Sequence, residues 1–329
     1  MIEGMKVKLW GVRGSIPAPH TVNALDNKGK NLLEGFFKAG YSRVDQIEQY
    51  LADIPGYRVH GWGGNTSCVS VHTPQVDLVI DGGTGIRNYG YELMAGPCGK
   101  GKGKIHIFFT HVHWDHIMGL PFLVPLFIPG NEIHIYGVEP EVQQIFAMLF
   151  QKPFFPVPLE MIGSKLIYHT LVPRQPLPFG DLTITPYKLD HPDPCWGYRI
   201  SNGKSVFSHC VDTECTRVSR RAMGEDLPLY QGVDLMTFDA QYTTREKFQR
   251  IHWGHASAAL GLDLAIRESV KSIVFMHNDP AANDDKIADV ESETRRYYEQ
   301  MRAMAQSGGV EVPEVKWQFG VEGTEFALA

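Results

Sequence analysis

The sequence predicts a layered α/β fold in which one β-sheet packs on another and helices cover the outer faces. Short apolar segments of strand type recur along the 329 residues, and helical patterns lie between groups of them. A histidine-rich segment directly follows one of the most apolar strands. No segment repeats at a period of about twenty to fifty residues, so a repeat architecture is not expected. We expect a single elaborated domain over residues 1–329.

The first half of the chain carries strand patterns separated by turns rich in glycine and proline. Apolar residues at three- and four-residue steps over 32–54 predict a helical insertion at about residues 20–60. A short amphipathic helix is expected at 141–150. The strands of this half are expected at 6–12, 68–72, 76–80, 105–109 and 133–138.

The second half is richer in strand patterns. Helices are expected at 256–269 and 284–304, where apolar residues recur at helical spacing. The tail at 315–326 is expected to return to strand. The other strands are expected at 166–171, 182–189, 196–200, 204–211, 235–238 and 272–276.

Composition excludes some classes of protein. The chain has 31 basic and 37 acidic residues and a net charge of −6. It therefore has no excess of positive charge to attract the phosphate backbone of a nucleic acid regardless of sequence. No apolar run approaches the eighteen or so residues of a membrane span, and Met1 to Lys6 lacks the apolar core of a signal peptide. Five cysteines, an odd number, fit a reducing compartment better than a disulfide framework. A cytoplasmic protein is therefore expected.

The segment from Thr110 to His116 reads Thr-His-Val-His-Trp-Asp-His. His111 and His113 are two residues apart, so in an extended backbone their imidazoles point the same way and can share one ion. Asp115 and His116 follow the turn and could bind a second ion. The segment therefore predicts a two-metal centre.

Three further candidate ligands lie where a strand is expected to end. They are His191, Asp212 and His277. Loops at strand ends are where a rigid scaffold holds functional groups. Asp212 has the chemistry of a carboxylate that bridges two ions, and His191 and His277 would each complete one side. The seven ligands leave room for a water or hydroxide, whose pKa is lowered by coordination.

Two more residues are expected to act beside the metals. Asp81 ends the strand at 76–80 among glycines and would accept a hydrogen bond that fixes a ligand histidine or the motif loop. His255 precedes a helix that Ser257 could cap, and its imidazole could serve as a general acid. A capping or packing histidine is the alternative interpretation of His255.

These motifs resemble the metallo-β-lactamase superfamily. Its His-x-His-x-Asp-His signature matches His111, His113, Asp115 and His116. The segments at 9–17, 63–68 and 81–85 resemble the branch containing ribonuclease Z and the phosphoribosyl cyclic phosphodiesterase, and matching motifs continue to about Pro280. The resemblance implies an αββα sandwich of the metallo-β-lactamase type, with two mixed sheets, helices on the outer faces and metals at one edge of the sheets.

The resemblance also implies individual roles. His191 corresponds to the third-motif histidine, Asp212 to the bridging aspartate and His277 to the last ligand. His255, in Gly-His-Ala-Ser, matches the histidine that this phosphodiesterase branch uses near the scissile phosphate. The interval between His191 and Asp212 is too short for the protruding arm with which ribonuclease Z holds transfer RNA, which disfavours transfer RNA and long nucleic acids as substrates.

The expected function is hydrolysis of a small or cyclic phosphodiester by a dinuclear metal-dependent phosphodiesterase, with a metal-bridging hydroxide as nucleophile. Asp115 would orient that hydroxide while ligating a metal, and His255 would bind the phosphate or protonate the leaving oxygen. Hydrolysis of a carboxylic ester, lactone or thioester at the same metals is an alternative that would not need His255. A di-iron redox or sensor protein is an alternative of another class, although that branch usually has glutamate at the position of His113.

The expected cofactors are two divalent metal ions. Zinc is the first choice because the reaction needs no redox chemistry, and manganese and iron are the alternatives. The expected partner is a small-molecule phosphodiester, with no membrane, and a homodimer is left open. The sequence identifies neither the physiological substrate nor the residues that contact its organic part.

Overall fold

The computed structural model describes residues 4–328. Residues 1–3, part of the N-terminal stretch considered for a signal peptide, and residue 329 lie outside this description. In the described part of the chain, fourteen strands form two sheets of seven strands each. The strands are β1 Met5–Gly11, β2 Cys68–His72, β3 Asp77–Ile80, β4 Lys104–Phe108, β5 Glu132–Gly137, β6 Lys165–Thr170, β7 Leu177–Phe179, β8 Leu182–Lys188, β9 Trp196–Ser201, β10 Val206–Cys210, β11 Leu235–Asp239, β12 Ser272–Met276, β13 Lys316–Phe319 and β14 Glu325–Leu328.

Both sheets are mixed and are built on the same plan. The first has the order β14-β1-β2-β3-β4-β5-β6, and the second has the order β13-β12-β11-β10-β9-β8-β7. Each sheet has three antiparallel pairings on one side and three parallel ones on the other, which join β3 through β6 and β10 through β13. The carboxyl ends of parallel strands lie at one edge of a sheet, so the loops that leave these strands are brought together.

The helices lie on the outer faces and in the connections between strands. They are α1 Val22–Lys38, α2 Ile47–Asp53, α3 Gly56–His60, α4 Ile86–Leu93, α5 Trp114–Ile117, α6 Val142–Leu149, α7 Arg220–Met223, α8 Thr244–Gln249, α9 Ala258–Arg267 and α10 Asp284–Ser307. Among the described residues, no helix combines the length and the apolarity that crossing a membrane requires.

Buried apolar clusters fill the spaces between four layers. The inner faces of the two sheets meet in one cluster, to which Leu9 and Phe108 contribute from the first sheet and Tyr198 and Val274 from the second. A second cluster fills the space between the first sheet and the helices on its outer face. A third does the same for the second sheet, where α9 and α10 pack. The αββα sandwich expected from the sequence is confirmed.

Some elements differ from the expectations. The tail expected as strand at 315–326 forms β13 and β14, which belong to different sheets. Gly323, with φ of +89°, lies in the turn between them, where a residue without a side chain is favoured. The sequence patterns missed β7, which has three residues with a proline among them, and α4, which follows a glycine-rich loop. The helix expected at 32–54 instead begins at Val22, where Thr21 caps it, and is interrupted before α2.

The glycine-rich loop after β3 packs backbone against backbone on the histidine-rich loop after β4. The Gly82 amide donates to the carbonyl of His116 at 2.6 Å, and the Gly119 amide donates to the Gly82 carbonyl at 2.9 Å. A Cβ at Gly83 would lie 2.3 Å from the Asp115 carbonyl oxygen and 2.5 Å from that of Ser67. The loop therefore has no room for a side chain at Gly83.

We expect Gly83→Ala to lower the free energy of unfolding by about 1–3 kcal/mol, the usual cost of overpacking, because both clashing atoms are backbone. Chemical denaturation would measure the loss. The matched control is Gly308→Ala, where the nearest atom to a new Cβ lies 3.4 Å away and φ is −83°. That variant should be neutral or slightly more stable. Equal stability of the two variants would contradict the tight contact between the two loops.

Candidate metal centre

The candidate residues lie at the carboxyl ends of six strands. Asp81 follows β3, the segment from His111 to His116 follows β4, and His191 follows β8 by three residues. Asp212, Asp239 and His277 follow or end β10, β11 and β12. Because these strand ends share one edge of the sandwich, side chains that lie far apart in the sequence meet there. The structure therefore brings together all seven residues predicted as ligands.

In the part of the chain that the structure describes, histidine and aspartate side chains at this edge form three groups that could each hold a metal ion. Within each group the potential ligand atoms, one per residue, lie within 4.8 Å of one another. Asp212 belongs to all three groups, which is the geometry expected of a shared carboxylate. The groups are His111, His113, His191 and Asp212; Asp115, His116, Asp212 and His277; and Asp212, Asp239, His255 and His277.

Each histidine of the first two groups has one ring nitrogen held by an oxygen atom, which leaves the other nitrogen for an ion. His116 Nδ1 lies 2.7 Å from Asp81 Oδ2, and His277 Nδ1 lies 2.9 Å from Gln241 Oε1. The other three pairs are His113 Nε2 with Asp193 Oδ2, His191 Nδ1 with the Asp193 carbonyl, and His111 Nδ1 with Thr110 Oγ1. Ionised carboxylates and carbonyls only accept, so the proton sits on the histidine nitrogen that faces them.

Asp81 organises the first loop. It is fully buried, and its carboxylate accepts hydrogen bonds from the Thr110 amide at 2.9 Å and from the Thr110 hydroxyl at 2.9 Å. The same hydroxyl lies 3.0 Å from His111 Nδ1 and can accept from it. One carboxylate thus orients His116 directly and His111 through Thr110.

His255 lies beside this centre, and its main support is a residue that the sequence reasoning missed. His255 Nδ1 lies 2.8 Å from Asp239 Oδ2, and the ring stacks on His277 with centroids 4.9 Å apart. Asp239 also accepts from the Ala256 and Gln241 amides. Asp239 ends β11 just as Asp212 follows β10, so the strand-end rule applied to β11 could have found it. The backbone amide of Ser15 donates to Asp115 Oδ2 at 2.7 Å. Neither Ser15 nor Gln241 lies in a sequence pattern that would have marked it as part of the site.

The buried polar atoms of the centre test whether metal ions fit it. Among the described residues, His111 Nε2, His116 Nε2 and Asp212 Oδ1 are buried and make no hydrogen bond of good geometry. Their nearest polar neighbours are the other candidate ligands, since His111, His116 and His277 each place Nε2 at 2.9 to 3.5 Å from an Asp212 oxygen. Leaving such atoms unsatisfied is costly, and buried polar groups are nearly always paired. A set of imidazole and carboxylate donors around one point is the set that zinc and related divalent ions take. The residues present therefore fit divalent metal ions.

The charges of the centre point to the same conclusion. Burial holds the pKa of His111 well below its usual value, and His116 adds to the effect, so His111 is neutral and able to ligate. Burial opposes the charged form of His277, but Asp212 and Asp115 outweigh it and raise the pKa to about 10, so a metal ion that bound Nε2 would displace a proton. Burial also opposes ionisation of Asp212, yet His277 and His116 hold its pKa well below its usual value. The carboxylates are thus ionised in a buried site, which favours cations.

Several residues of this edge adopt the left-handed backbone region. Ser15, Asp81, His252 and His277 have φ between 63° and 69°. Aspartate and histidine enter this region more readily than most residues, but the conformation still costs energy relative to an extended one. Backbone strain held in place by surrounding structure is often found at functional sites.

A family model described as the beta-lactamase superfamily domain matches residues 77–278. The match covers more than half of the chain and includes every candidate ligand from His111 to His277, as well as Asp81. The chain belongs to this superfamily. The family and the histidine and aspartate groups together imply divalent metal ions at this edge.

Curated relatives of this superfamily member include ribonucleases. Ribonuclease BN of Cronobacter sakazakii is 39% identical over 106 residues, which cover 30% of this chain and 32% of the relative. Ribonuclease Z of Clostridium perfringens is 24% identical over 243 residues, covering 57% of this chain and 76% of the relative. The chain thus spans about a third of the length of the first of these relatives.

Solved structures share the fold over nearly the whole chain. The metallo-beta-lactamase fold protein YhfI from Bacillus subtilis has a TM-score of 0.61 and 17% identity, and the alignment covers 98% of this chain and 99% of that one. A diphosphatase from the PhnP family has a TM-score of 0.59 and 16% identity, with 99% and 98% of the two chains covered. At these identities the likeness concerns the fold.

We expect the purified protein to bind two divalent ions per chain. Asp212→Ala should lose both, because Asp212 belongs to both ligand groups, whereas His191→Ala should weaken one ion, because His191 belongs to one group. Elemental analysis after dialysis would measure the number of metal ions bound per chain. His255→Ala is the matched control, because His255 belongs to neither of the first two groups, in which we expect the two ions, and it should keep both. One retained equivalent in Asp212→Ala would contradict a shared carboxylate.

Proposed function

We propose that this protein is a dinuclear metal-dependent phosphodiesterase that hydrolyses a small or cyclic phosphodiester. The observation that carries the proposal is the placement of His255, which stacks on the candidate ligand His277 and is held by Asp239. Hydrolysis of a phosphodiester needs a hydrogen-bond donor for a phosphoryl oxygen and a proton for the leaving oxygen. A histidine beside the two metal-ligand groups could supply either. The relatives named as ribonucleases support phosphodiester chemistry in general.

The protein's own side chains have distinct tasks in this proposal. Asp239 accepts from His255 Nδ1, which fixes the ring. In its imidazolium form His255 then donates from Nε2 to a phosphoryl oxygen or to the leaving oxygen. The Ser15 amide and His277 both contact Asp115 Oδ2 and hold that carboxylate in one orientation, in which it would orient the attacking water. Bound divalent ions would polarise the phosphoryl oxygens and make a water acidic enough to attack at neutral pH.

Zinc is our first choice of metal. The donor set of imidazoles and carboxylates suits zinc, manganese and iron, and the proposed hydrolysis involves no electron transfer. The five histidines of the two ligand groups favour borderline ions such as zinc over magnesium or calcium, which prefer oxygen ligands. We also propose that the protein works in the cytoplasm, because its five cysteines are buried and unpaired, which fits a reducing compartment.

Hydrolysis of a carboxylic ester, lactone or thioester is the rival reaction at the same metals. It would draw on the two ligand groups but would not need His255 or Asp239. A di-iron redox or sensor protein is the rival of another class, and the presence of histidine at position 113 disfavours it. Activity measurements on His255 variants therefore separate the phosphodiesterase from the ester hydrolase.

We expect the metal-loaded protein to hydrolyse bis(4-nitrophenyl) phosphate, and His255→Ala to lower kcat by about 10²- to 10⁴-fold with its metal content unchanged. Asp212→Ala should lose turnover together with its metals. His72→Ala, at the far end of β2, is the matched control and should turn over like the wild type. If a fully metallated His255→Ala protein turned over the phosphodiester at the wild-type rate, the proposed role of His255 would be wrong. Hydrolysis of 4-nitrophenyl acetate but not of the phosphodiester would favour the ester hydrolase.

Cleavage of RNA is a second candidate, favoured by the names of the curated relatives. The interval between His191 and Asp212 forms the hairpin of β9 and β10 with a four-residue connection at 202–205, which leaves no protruding arm. The net charge of −6 also offers little attraction to a long polyanion. We expect slower turnover of a transfer-RNA precursor than of a small cyclic phosphodiester. If a gel assay showed faster turnover of the transfer-RNA precursor, RNA would become the proposed substrate in place of a small phosphodiester.

A further inference from the structure

The loop between β8 and β9, residues 189–195, supports more of the candidate metal centre than the one ligand it carries. We call it the His191 loop. The Asp193 carbonyl lies 3.1 Å from His191 Nδ1, and the Asp193 carboxylate lies 2.8 Å from His113 Nε2. His191 and His113 both belong to the first of the three ligand groups. Half of that group therefore depends on where this loop lies.

The contacts at the metal centre give the His191 loop little support of their own. The side chains of His113 and Asp193 are 42% and 67% exposed, and exposed pairs contribute little to stability. His191 also lies three residues beyond the end of β8, whereas His277 directly follows β12. The position of the loop therefore depends on contacts farther from the ligands.

Arg217 makes such a contact at Asp190, the residue before His191. The Asp190 carboxylate is largely buried and accepts from Nε of Arg217 and, at 2.7 Å, from the Arg217 amide. The same guanidinium donates to the Lys188 carbonyl, at the end of β8, at 2.8 Å. The Glu214 amide donates to the Asp190 carbonyl at 2.6 Å. The segment that follows β10 is thus joined to the His191 loop.

The Arg217 side chain is itself held by a buried carboxylate. Arg217 Nη1 donates to Asp226 Oδ2 at 2.7 Å, and Arg174 donates to the two oxygens of the same carboxylate at 2.8 and 3.0 Å. Burial opposes ionisation of Asp226, yet Arg174 and Arg217 hold its pKa below its usual value. Because a guanidinium is planar and its donors form a rigid fork, these contacts fix its orientation. Arg217 can therefore transmit that fixed position to Asp190.

We propose that Arg217 is a positioning residue of the metal centre, which holds Asp190 so that His191 and His113 face one ion. Among the described residues, Arg217 donates to Asp190, Asp226 and the Lys188 carbonyl and to no candidate ligand, so it acts through the loop.

The proposal concerns one ion of the two. The second ligand group, Asp115, His116, Asp212 and His277, has no member on the His191 loop. Contacts that orient metal ligands from outside typically change metal affinity by about 10- to 100-fold when they are removed. Loss of Arg217 should therefore weaken the ion of the first group and spare the ion of the second.

A titration of the metal-free protein with Zn²⁺, in competition with a chromophoric chelator, tests the proposal by giving two dissociation constants. Arg217→Ala should raise one constant by about 10- to 100-fold and leave the other within about threefold of the wild type. The matched control is Arg220→Ala, which removes an arginine from the buried carboxylate of Glu268. Glu268 keeps Arg267 in that variant, as Asp226 keeps Arg174 in Arg217→Ala. Arg220→Ala should bind both ions like the wild type.

Two further variants show which ion is weakened and by which route. His191→Ala marks the ion of the first group, and adding Arg217→Ala to it should weaken that ion less than Arg217→Ala does alone, because the two changes act on one ligand. Asp190→Asn keeps the size of the side chain and removes its charge, so it should weaken the same ion as Arg217→Ala. It also serves as the test if Arg217→Ala does not fold, which circular dichroism would show.

Three results would each overturn the proposal. They are unchanged affinities in a folded Arg217→Ala or Asp190→Asn protein, equal weakening of both ions, and the same weakening in Arg220→Ala. Either of the last two would assign Arg217 to the general stability of the fold. None of these measurements involves turnover, so their outcome does not depend on whether the protein is a phosphodiesterase.

Discussion

The arrangement at the site edge depends on the burial of negative charge. Asp81, Asp115, Asp212 and Asp239 are all buried within a small volume, and ionised carboxylates are costly to bury without compensating cations or donors. The histidines around them supply part of that compensation, and despite its burial the pKa of His277 is raised to about 10 by Asp212 and Asp115. Divalent ions would supply it more completely. The same concentration of negative charge that destabilises the metal-free protein favours the binding of metal ions.

The direction of the strands decides which residues can contribute to the candidate metal centre. In both sheets the parallel strands and β8 deliver their carboxyl ends to one edge, so short loops are enough to place a ligand. The loop after β4 then fits against the loop after β3 because glycines let their backbones touch. His255 reaches the site from another direction, from the segment before α9, and needs Asp239 at the end of β11 to hold it.

The ligands could be predicted from the sequence because histidine and aspartate at strand ends are a strong local signal. The family resemblance and the αββα fold are confirmed, and Asp81 makes the kind of contact expected of it. Other features depend on contacts that the sequence does not display. Gln241 and Ser15 meet their partners only after folding, and periodicity showed that the segment around α1 is amphipathic without showing which side faces the protein.

The two sheets come from largely successive parts of the chain, and the candidate centre draws on both. His111 and Asp115 follow a strand of the first sheet, whereas Asp212 and His277 follow strands of the second. In the first two groups each sheet supplies two of the four donors. Metal binding during refolding should therefore be a late event that reports the docking of the two sheets, and a chelator present at that stage would delay completion of the native state without preventing formation of either sheet.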